Sequence, residues 1–460
     1  MRTMKEQSDA QYRQALKQKY RKRFDIINES MNGEFTEERQ TKLGTLLENT
    51  ENHIMKSPLF EGNTLSSNVA KGIKTQYFDI ISNVFPNLLA EELFSVQPLQ
   101  YKTGQLFYLK FVYGDNKGNI RKGDTIFGAH DIAGYENSNY TSELVTDEQV
   151  IKVSNTSVDT NLSYFPVRPG TVKLTVDTIE IKDNGSGVLT GTGVSNGTIN
   201  YDTGAIKFTH TGMTSDVLAD YEYVQEVNPS KIPSVELTVE ETTVTARPRK
   251  LRGNYSLDAG YDLEQHQGID IKESLLEAAA QQLRHEIDGE LIMTAFNQAS
   301  STISWQNQFN HTTRDISKPG YYSDFIEVLY KATTQIFQNT KRARGNWIVA
   351  GKETIDILNT VGEPKFKPAD SGDVVGPHFA GTLGNSIKVY YDPFMKESDF
   401  LVGYKGNTLL DAGLIYAPYL LFFATDSVML DDFIGRRGFA TSYAKKMVQP
   451  KYYVKGTITH

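Results

Sequence analysis

Histidine is the residue type most often recruited for acid–base chemistry and metal binding near neutral pH, and the chain contains eight. They are spread singly along the sequence, without the short spacings that metal ligands show. His285 is followed by Glu286, but no second histidine lies four residues after the first, so the zinc-protease motif is absent. The chain also has no cysteine, which excludes disulfides, thiolate metal sites and cysteine nucleophiles. We therefore predict neither a catalytic nor a metal site.

Two glycine-containing segments share only part of the pattern of phosphate-binding loops. Gly191, Gly193 and Gly197 follow the spacing GxGxxxG inside a β-rich segment, and no helix is predicted after them. The Gly351-Lys352 pair lacks the earlier glycine of a P-loop and is followed by glutamate in place of serine or threonine. We interpret the first segment as a turn and Lys352 as a surface or helix N-terminal residue, so no cofactor is predicted.

Paired carboxylates can hydrolyse glycosidic bonds, and Asp392 with Asp411, or Asp431 with Asp432, are pairs of this kind. A chain with 56 acidic residues contains very many such pairs, so the pattern carries little weight. An enzyme, for example one that acts on carbohydrates, is the weakest of the functions that we consider.

Composition favours a large assembling protein. At 460 residues and 39% hydrophobic content, the chain is long enough for a sizeable core and several structural units. Its 25 Tyr and 23 Phe belong to residue types favoured in strands and at protein interfaces. A net charge of -8 argues against tight binding to nucleic acid. The longest apolar run, Leu414 to Ala424, is much shorter than the roughly 20 residues of a membrane span, so we expect no membrane association.

The most informative stretch runs from Glu241 to Phe296, where a β-branched segment feeds into one long predicted helix. A four-residue step drifts about 40° per repeat on a helix of 3.6 residues per turn, so its apolar stripe winds around the helix. Such a helix needs neighbours on several sides. The repeating apolar positions are Ile271, Leu275, Ala279, Leu283, Ile287, Leu291 and Ala295.

The N-terminal region is polar and helix-prone. The spacing predicts a first helix that ends near Asn32-Gly33 and a second helix over residues 36–56, capped by Thr36. The region is interpreted either as a solvated helical arm or as an assembly arm that contacts a partner or scaffold. The predicted inward face of the first helix consists of Tyr12, Leu16, Tyr20, Phe24 and Ile27.

Later segments alternate between β-rich and helical patterns. Residues 112–163 read as an extended excursion, and residues 164–229 as a small all-β module with glycine turns. This module is either an inserted domain or continuous β-structure of the parent fold. A further helix is predicted from Tyr321 to Lys341 with Ser323 as its cap, followed by a short buried strand at residues 347–351.

With these pieces in order, the chain resembles the major capsid proteins of tailed bacteriophages, within the T4-like branch of the HK97-type capsid fold. The blocks that carry the resemblance occur in the family's order. They are SVQPLQYKTGQLFYLKF at 95–111, the segment from TARPRKLRG to GELI at 245–292, GNWIVAG at 345–351, GTLGNSIKVYYDP at 381–393, VGYKGNTLLDAGLIYAPY at 402–419 and RRGFATSYAK at 436–445.

The resemblance implies an α+β, HK97-like fold with an inserted small all-β domain. The long helix is then the spine helix of the P-domain, and its core residues Ile271, Leu275, Leu283, Ile287 and Leu291 are expected to pack under a P-domain sheet. The implied divisions are an N-terminal helical arm at 1–77, the start of the P-domain and the E-loop at 78–163, the inserted domain at 164–229, the E-loop return strand and spine helix at 230–300, the A-domain at 301–430 and closing P-domain strands at 431–460.

The same resemblance implies a structural function. The chain is expected to assemble into hexamers, and pentamers where needed, that form an icosahedral or prolate head around phage DNA. Implied partners are copies of itself, a scaffold, a portal, and vertex and decoration proteins, with assembly in the host cytoplasm and a final place in the virion capsid. The alternative is a β-rich phage tail or surface-adhesion protein, which the module at 164–229 alone would support.

Capsid proteins of this branch resemble one another in losing an N-terminal segment to a phage protease. The protease favours a branched aliphatic residue, any residue and then glutamate. Ile27-Asn28-Glu29 and Leu46-Leu47-Glu48 match that pattern, so Glu29 and Glu48 are candidate prohead-protease cleavage sites.

Overall fold

A computed structural model gives the fold of the chain as two compact units. Unit 1 comprises Met1–Tyr108 and Glu240–His460, and unit 2 comprises Leu109–Val239. The described residues are 4–30, 35–55, 81, 88–118, 120–124, 126, 139–151, 157–176, 179–210, 216–268, 270–308, 317–369, 376–384, 386–406, 408, 411–425, 428–429 and 434–460. The predicted helix end at Asn32-Gly33 and the Asp431-Asp432 pair lie outside them.

The described ranges contain both helices and strands, which confirms the predicted α+β class. None of these helices combines the length and apolar character that crossing a lipid bilayer requires. The α-helices are α1 Met4–Ser30, α2 Glu37–Met55, α3 Leu89–Leu93, α4 Leu257–Gln267, α5 Ile271–Gln298, α6 Lys318–Thr340 and α7 Lys352–Val361. The strands are β1 Ser95–Val96, β2 Thr103–Tyr113, β3 Leu144–Ile151, β4 Ser157–Asn161, β5 Lys173–Val176, β6 Ile179–Asp183, β7 Leu189–Gly191, β8 Val194–Asn200, β9 Ala205–His210, β10 Val217–Glu222, β11 Val235–Thr245, β12 Arg247–Ser256, β13 Ser301–Gln306, β14 Trp347–Ala350, β15 Phe366–Pro368, β16 His378–Leu383, β17 Ile387–Tyr391, β18 Asp399–Gly403, β19 Leu414–Ala424, β20 Val428–Met429, β21 Ile434–Met447 and β22 Tyr453–Thr459.

Unit 1 contains two sheets. The first has the order β1-β19-β21-β12, with β20 paired to β21, and the second has the order β13-β22-β18-β14-β17-β16-β15. These sheets divide the chain differently from the predicted boundary between 301–430 and 431–460. Strand β19 joins the sheet of β12 and β21, whereas β22 joins the sheet of β13 and β18, because strand pairing follows spatial proximity and not chain order.

Helix α5 matches the long helix predicted from the four-residue repeat, but the segment before it differs from the prediction. Residues 257–267 form the separate helix α4, which the β-branched reading of this stretch missed. Gly268 follows with a φ of +67°, a conformation that glycine adopts without steric cost and that ends α4. Asp270 then caps α5, because its side chain accepts the backbone N–H of Lys272 at 2.8 Å.

Two other caps test the local predictions. The hydroxyl of Thr36 accepts the backbone N–H of Arg39 at 3.4 Å, so the predicted cap of α2 is confirmed. The predicted cap of α6 is wrong, because α6 begins at Lys318 and its cap is Ser317. Ser323 lies inside the helix, where its hydroxyl donates to the carbonyl of Pro319 at 2.9 Å. Proline in the first turn starts the helix earlier than the apolar pattern indicated.

The N-terminal helices belong to the core of unit 1. The predicted inward face of α1 is confirmed at Leu16, Tyr20, Phe24 and Ile27, which are buried, while Tyr12 is partly buried. Leu43, Leu46 and Leu47 of α2 are fully buried in the same cluster.

Unit 2 is a β-structure whose two sheets share one hydrophobic core. One sheet has the order β3-β10-β5-β6-β7 and the other the order β4-β9-β8. The unit therefore extends beyond the predicted module at 164–229. Strand β3 pairs with β10, and β4 pairs with β9, so residues from 144 onward are needed to complete both sheets.

A buried lysine stabilises one loop of unit 2 through hydrogen bonds to the loop backbone. The ammonium of Lys117 donates to the backbone carbonyls of Asn139 at 2.9 Å and Tyr140 at 3.0 Å, and it lies over the ring of Tyr223. Burial lowers the pKa of Lys117 to about 8. The charged ammonium loses hydration on burial, and the surrounding carbonyl groups and aromatic rings replace that hydration only in part.

Candidate assembly surfaces

The predicted core residues of the spine helix differ in burial along α5. Leu283, Ile287 and Leu291 are buried in the core of unit 1, whereas Leu275 and Ile271 are only partly buried. The sheet of β12, β19 and β21 supplies the neighbours of α5, including Phe439 and Tyr443 in the same cluster. The buried face of α5 extends from Leu276 to Ala295, so the helix packs in this cluster along most of its length.

Gly253 of β12 allows the first half of α5 to approach the sheet. A Cβ atom at this position would lie 2.9 Å from a methyl group of Leu275 and 3.0 Å from the ring of Phe439. A side chain at this position would displace Leu275 or Phe439, so glycine favours the close packing of α5 on the sheet.

A carboxylate in the middle of α5 ties this helix to α3. Asp288 is only 3% exposed, and it accepts the backbone N–H groups of Leu89 at 3.3 Å and Ala90 at 3.0 Å. Burial raises the pKa of Asp288 to about 7, although the two hydrogen bonds and the charge of Arg284 act in the opposite direction.

A second acidic residue links α5 to the sheet beneath it. Glu290 accepts hydrogen bonds from Arg249 of β12 and Tyr443 of β21, and its other oxygen lies 2.6 Å from the ammonium of Lys445. Burial raises the pKa of Glu290, but Lys445, Tyr443 and Arg249 outweigh burial and hold the pKa below its usual value. This cluster fixes the rotation of α5 on the sheet.

The residues considered for chemistry have structural contacts. The carboxylate of Asp411 accepts from Arg342 at 2.8 Å and from Tyr452 at 2.6 Å. Asp392 instead accepts the backbone N–H of Phe394 at 3.0 Å. None of the described contacts joins the two aspartates. Within the ranges that the structure describes, no group of three His, Asp or Glu side chains could hold a metal ion.

Both candidate cleavage sites fall in helices. Glu48 lies within α2, where Lys19 approaches its carboxylate at 2.5 Å and Tyr20 donates to it at 3.0 Å, and Leu47 beside it is fully buried. Glu29 lies in the last turn of α1, after the buried Ile27. Proteases favour exposed and extended segments, so neither glutamate is in a conformation suited to cleavage.

Unit 2 carries an exposed row of aliphatic side chains on β11, which we call the apolar row. Val235, Leu237 and Val239 alternate along the strand, so they share one face, and each is 57% exposed. Ile232 and Val227, just before the strand, are also more than half exposed. A contiguous exposed apolar surface of this kind is typical of a protein interface.

Unit 1 carries a groove of about 750 Å³ on the face of β12, β19 and β21, which we call the basic groove. Its floor is apolar, with Leu251, Leu420 and Phe423, and Lys102, Lys250, Arg252, Arg436 and Arg437 also line it. Among the described residues in its lining, none is acidic.

Sequence reasoning missed both surfaces. The alternation of apolar and polar residues at 235–239 is a sequence signal for the apolar row, but the resemblance assigns these residues to a return strand without predicting an exposed surface. The basic groove draws on residues from 53 to 442, so no local spacing could have indicated it.

The fold is similar to solved phage capsid structures. It matches a chain of the jumbo bacteriophage PhiKZ capsid with a TM-score of 0.38 and 9% identity, covering 80% of this chain and 92% of the other. It matches a chain of the capsid of the myophage XM1 with a TM-score of 0.34 and 9% identity, covering 72% of this chain and 93% of the other.

Sequence comparison gives a closer relationship. The major capsid protein of Vibrio phage KVP40 is 25% identical over 77% of this chain and 73% of the relative. The major capsid protein of Enterobacteria phage T4 is 24% identical over 79% of this chain and 73% of the relative. A family model described as "Major capsid protein Gp23" matches residues 71–460. Because this match spans most of the sequence, the chain belongs to the Gp23 family of phage major capsid proteins.

Proposed function

We propose that the chain is the repeating structural subunit of a phage head, a protein that assembles into hexameric and pentameric capsomers around packaged DNA. The observation that carries this proposal is the family match over residues 71–460. The proposed role is structural, as the family match supports. The net charge of -8 suits a shell that does not grip its DNA tightly.

The assembly contact that we propose joins the apolar row of one copy to the basic groove of its neighbour. Val235, Leu237 and Val239 supply apolar surface for the floor of the groove. Glu241 continues the same face of β11 and is exposed, so it supplies negative charge to the lysine and arginine side chains of the lining. Both charge and apolar character are therefore complementary between the two surfaces.

The family's domains can be assigned on this proposal. Strands β2 and β11 form the two sides of the E-loop, unit 2 is the inserted β domain, α5 is the spine helix of the P-domain, and the seven-stranded sheet belongs to the A-domain. The inserted domain either bridges adjacent subunits or decorates the outer surface. Helices α1 and α2 form the N-terminal arm, and cleavage of this arm after Glu29 or Glu48 would require the helix that carries the cleavage site to unfold first.

Further partners follow from the same proposal. A scaffold, a portal, and vertex and decoration proteins would bind during assembly in the host cytoplasm, and the mature subunit would lie in the virion capsid. The arm helix α1 is the proposed scaffold contact, because its outer surface is strongly charged; its exposed charged positions include Arg13, Lys19, Arg21, Lys22 and Asp25.

Electron microscopy of the purified full chain tests the proposal. Closed shells or hexameric rings are the expected result. Fibres would favour the tail or adhesion alternative, and particles that stay monomeric at every protein concentration and salt condition tried would contradict a capsid role.

A further inference from the structure

Unit 1 contains a polar cavity of about 520 Å³ where α2 and α3 meet the seven-stranded sheet. Its volume lies in the range of small-molecule sites. It is separate from the basic groove and from the proposed assembly contact. The charged and aromatic side chains of its lining that matter here are Arg39, Lys42, Glu91, Trp347, Lys388 and Lys405.

The carboxylates in the cavity wall are already matched by cations. The described lining holds four cations against three carboxylates, so one positive charge is in excess in the cavity. The matched pairs are Glu38 with Lys42 at 2.8 Å, Glu91 with Arg39 at 3.1 Å and Glu92 with Lys388 at 4.0 Å.

Lys405 is the cation without such a match. Its ammonium donates to the backbone carbonyl of Glu91, and among the described residues no carboxylate lies within ion-pair distance of it. Burial lowers the pKa of Lys405 to about 8, and the charges of Lys42 and Arg39 add to this effect, whereas those of Glu91 and Glu92 oppose it without cancelling it. A carbonyl oxygen compensates only part of that charge.

Trp347 gives an independent observation in the same wall. Its side chain is 3% exposed, and its indole Nε1–H has no hydrogen-bond partner among the described residues. A buried donor without an acceptor is rare and costs roughly 1–3 kcal/mol, so a ligand acceptor in the cavity would remove that cost.

We propose that this cavity binds a phosphate-type oxyanion, with the Lys405 ammonium and the Trp347 indole N–H as its donors. The anion supplies the missing negative charge and the missing acceptor together. Lys42 and Arg39 come from α2, whereas Trp347 and Lys405 come from β14 and the segment after β18, so the bound anion joins the N-terminal arm to the sheet.

The fluorescence of Trp347 provides a direct test. The chain has two tryptophans, so the Trp305→Phe variant reports on Trp347 alone. Unassembled full chain carrying this substitution is titrated with inorganic phosphate at constant ionic strength, with chloride as the balancing anion. We expect a saturable change in emission and a rise in Tm with phosphate that chloride does not produce.

Variants of the lysine separate a site from a general salt effect. Lys405→Met should weaken phosphate binding at least tenfold, Lys405→Arg should retain it, and the exposed Lys396→Met should leave it unchanged. Circular dichroism checks that each variant is folded, and the arginine variant keeps the comparison valid if the methionine variant is not. The proposal is overturned if the parent shows no saturable response, or if Lys405→Met and Lys396→Met bind phosphate equally.

Discussion

The carboxylate of Asp288, in the middle of the spine helix, accepts the backbone N–H of Ala90 at 3.0 Å, although the two residues lie 198 positions apart. Its environment is unusually apolar, since burial is the main reason that its pKa rises to about 7. Two charged side chains also affect this pKa: Arg284 lowers it and Asp392 raises it. This contact makes the stability of unit 1 depend on pH.

We expect Asp288→Asn to remove part of that dependence. The folded chain keeps the Asp288 proton up to about pH 7, whereas the unfolded chain releases it near 3.8, so folding is favoured less as pH rises through this window. The difference corresponds to roughly 4 kcal/mol at most. Thermal unfolding at pH 5 and pH 8 should show that the variant gains stability relative to the parent at the higher pH. If the stability difference between variant and parent is the same at both pH values, the pKa of the buried Asp288 carboxyl is not raised.

Alanine substitutions along α5 should show which part of the helix contributes most to its packing on the sheet. Leu291→Ala removes a fully buried side chain and should lower the free energy of unfolding by about 2–5 kcal/mol. Ile271→Ala, at the partly exposed start of α5, serves as the matched control and should cost about 1 kcal/mol or less. Denaturant unfolding of the unassembled chain measures both. Equal losses would mean that the helix is anchored at its beginning as firmly as in its second half.

The apolar row predicts a surface substitution that blocks assembly without affecting folding. Leu237→Asp places a charge in the middle of the row, and we expect shell formation to fall at least tenfold because the carboxylate would be buried against the apolar floor of the basic groove. Val188→Asp is the control, since Val188 is 42% exposed on unit 2 but lies outside the row. Sedimentation and electron microscopy measure assembly, and circular dichroism measures folding. Normal shells from Leu237→Asp would exclude this row from the subunit contact.

Removal of unit 2 tests whether the insertion bridges subunits. A deletion of 166–227 would leave β3 and β4 without their partner strands, so it would damage the unit and leave part of it behind. A cleaner variant deletes Asp115–Pro233 and joins Gly114 to Ser234 through an Asn-Gly turn, because the Gly114 N–H already donates to the Ser234 carbonyl at 2.9 Å.

Shells of this variant should form but dissociate at a lower temperature than the parent shells, as light scattering during heating would show. Shells of equal stability would remove the bridging role and leave decoration of the outer surface as the function of the insertion.

Local patterns in the sequence predicted the elements of this fold better than their pairing. The four-residue repeat indicated α5 because helix periodicity is a property of neighbouring residues, and the same holds for the buried face of α1. The assignment of β19 and β22 to different sheets depends on strands far apart in the chain, which the order of elements in the sequence does not indicate.

Functional surfaces were harder to predict for the same reason. The basic groove combines Lys102 from before β2 with Leu251 from β12, Phe423 from β19 and Arg437 from β21. Only the folded sheet brings these residues together. Lys405 and Trp347 likewise gave no sequence signal, because the property they share is a place in the wall of one cavity, which only the folded chain creates.

The hydrogen bond between Gly114 and Ser234 has an evolutionary consequence. Because the first and last residues of the inserted segment are neighbours, recombination can exchange everything between them for another fold whose ends are equally close. The ribbon of β2 and β11 would close in the same way beneath any such replacement. Related phages can therefore diversify the segment that this subunit carries at that point while inheriting the rest of its backbone unchanged.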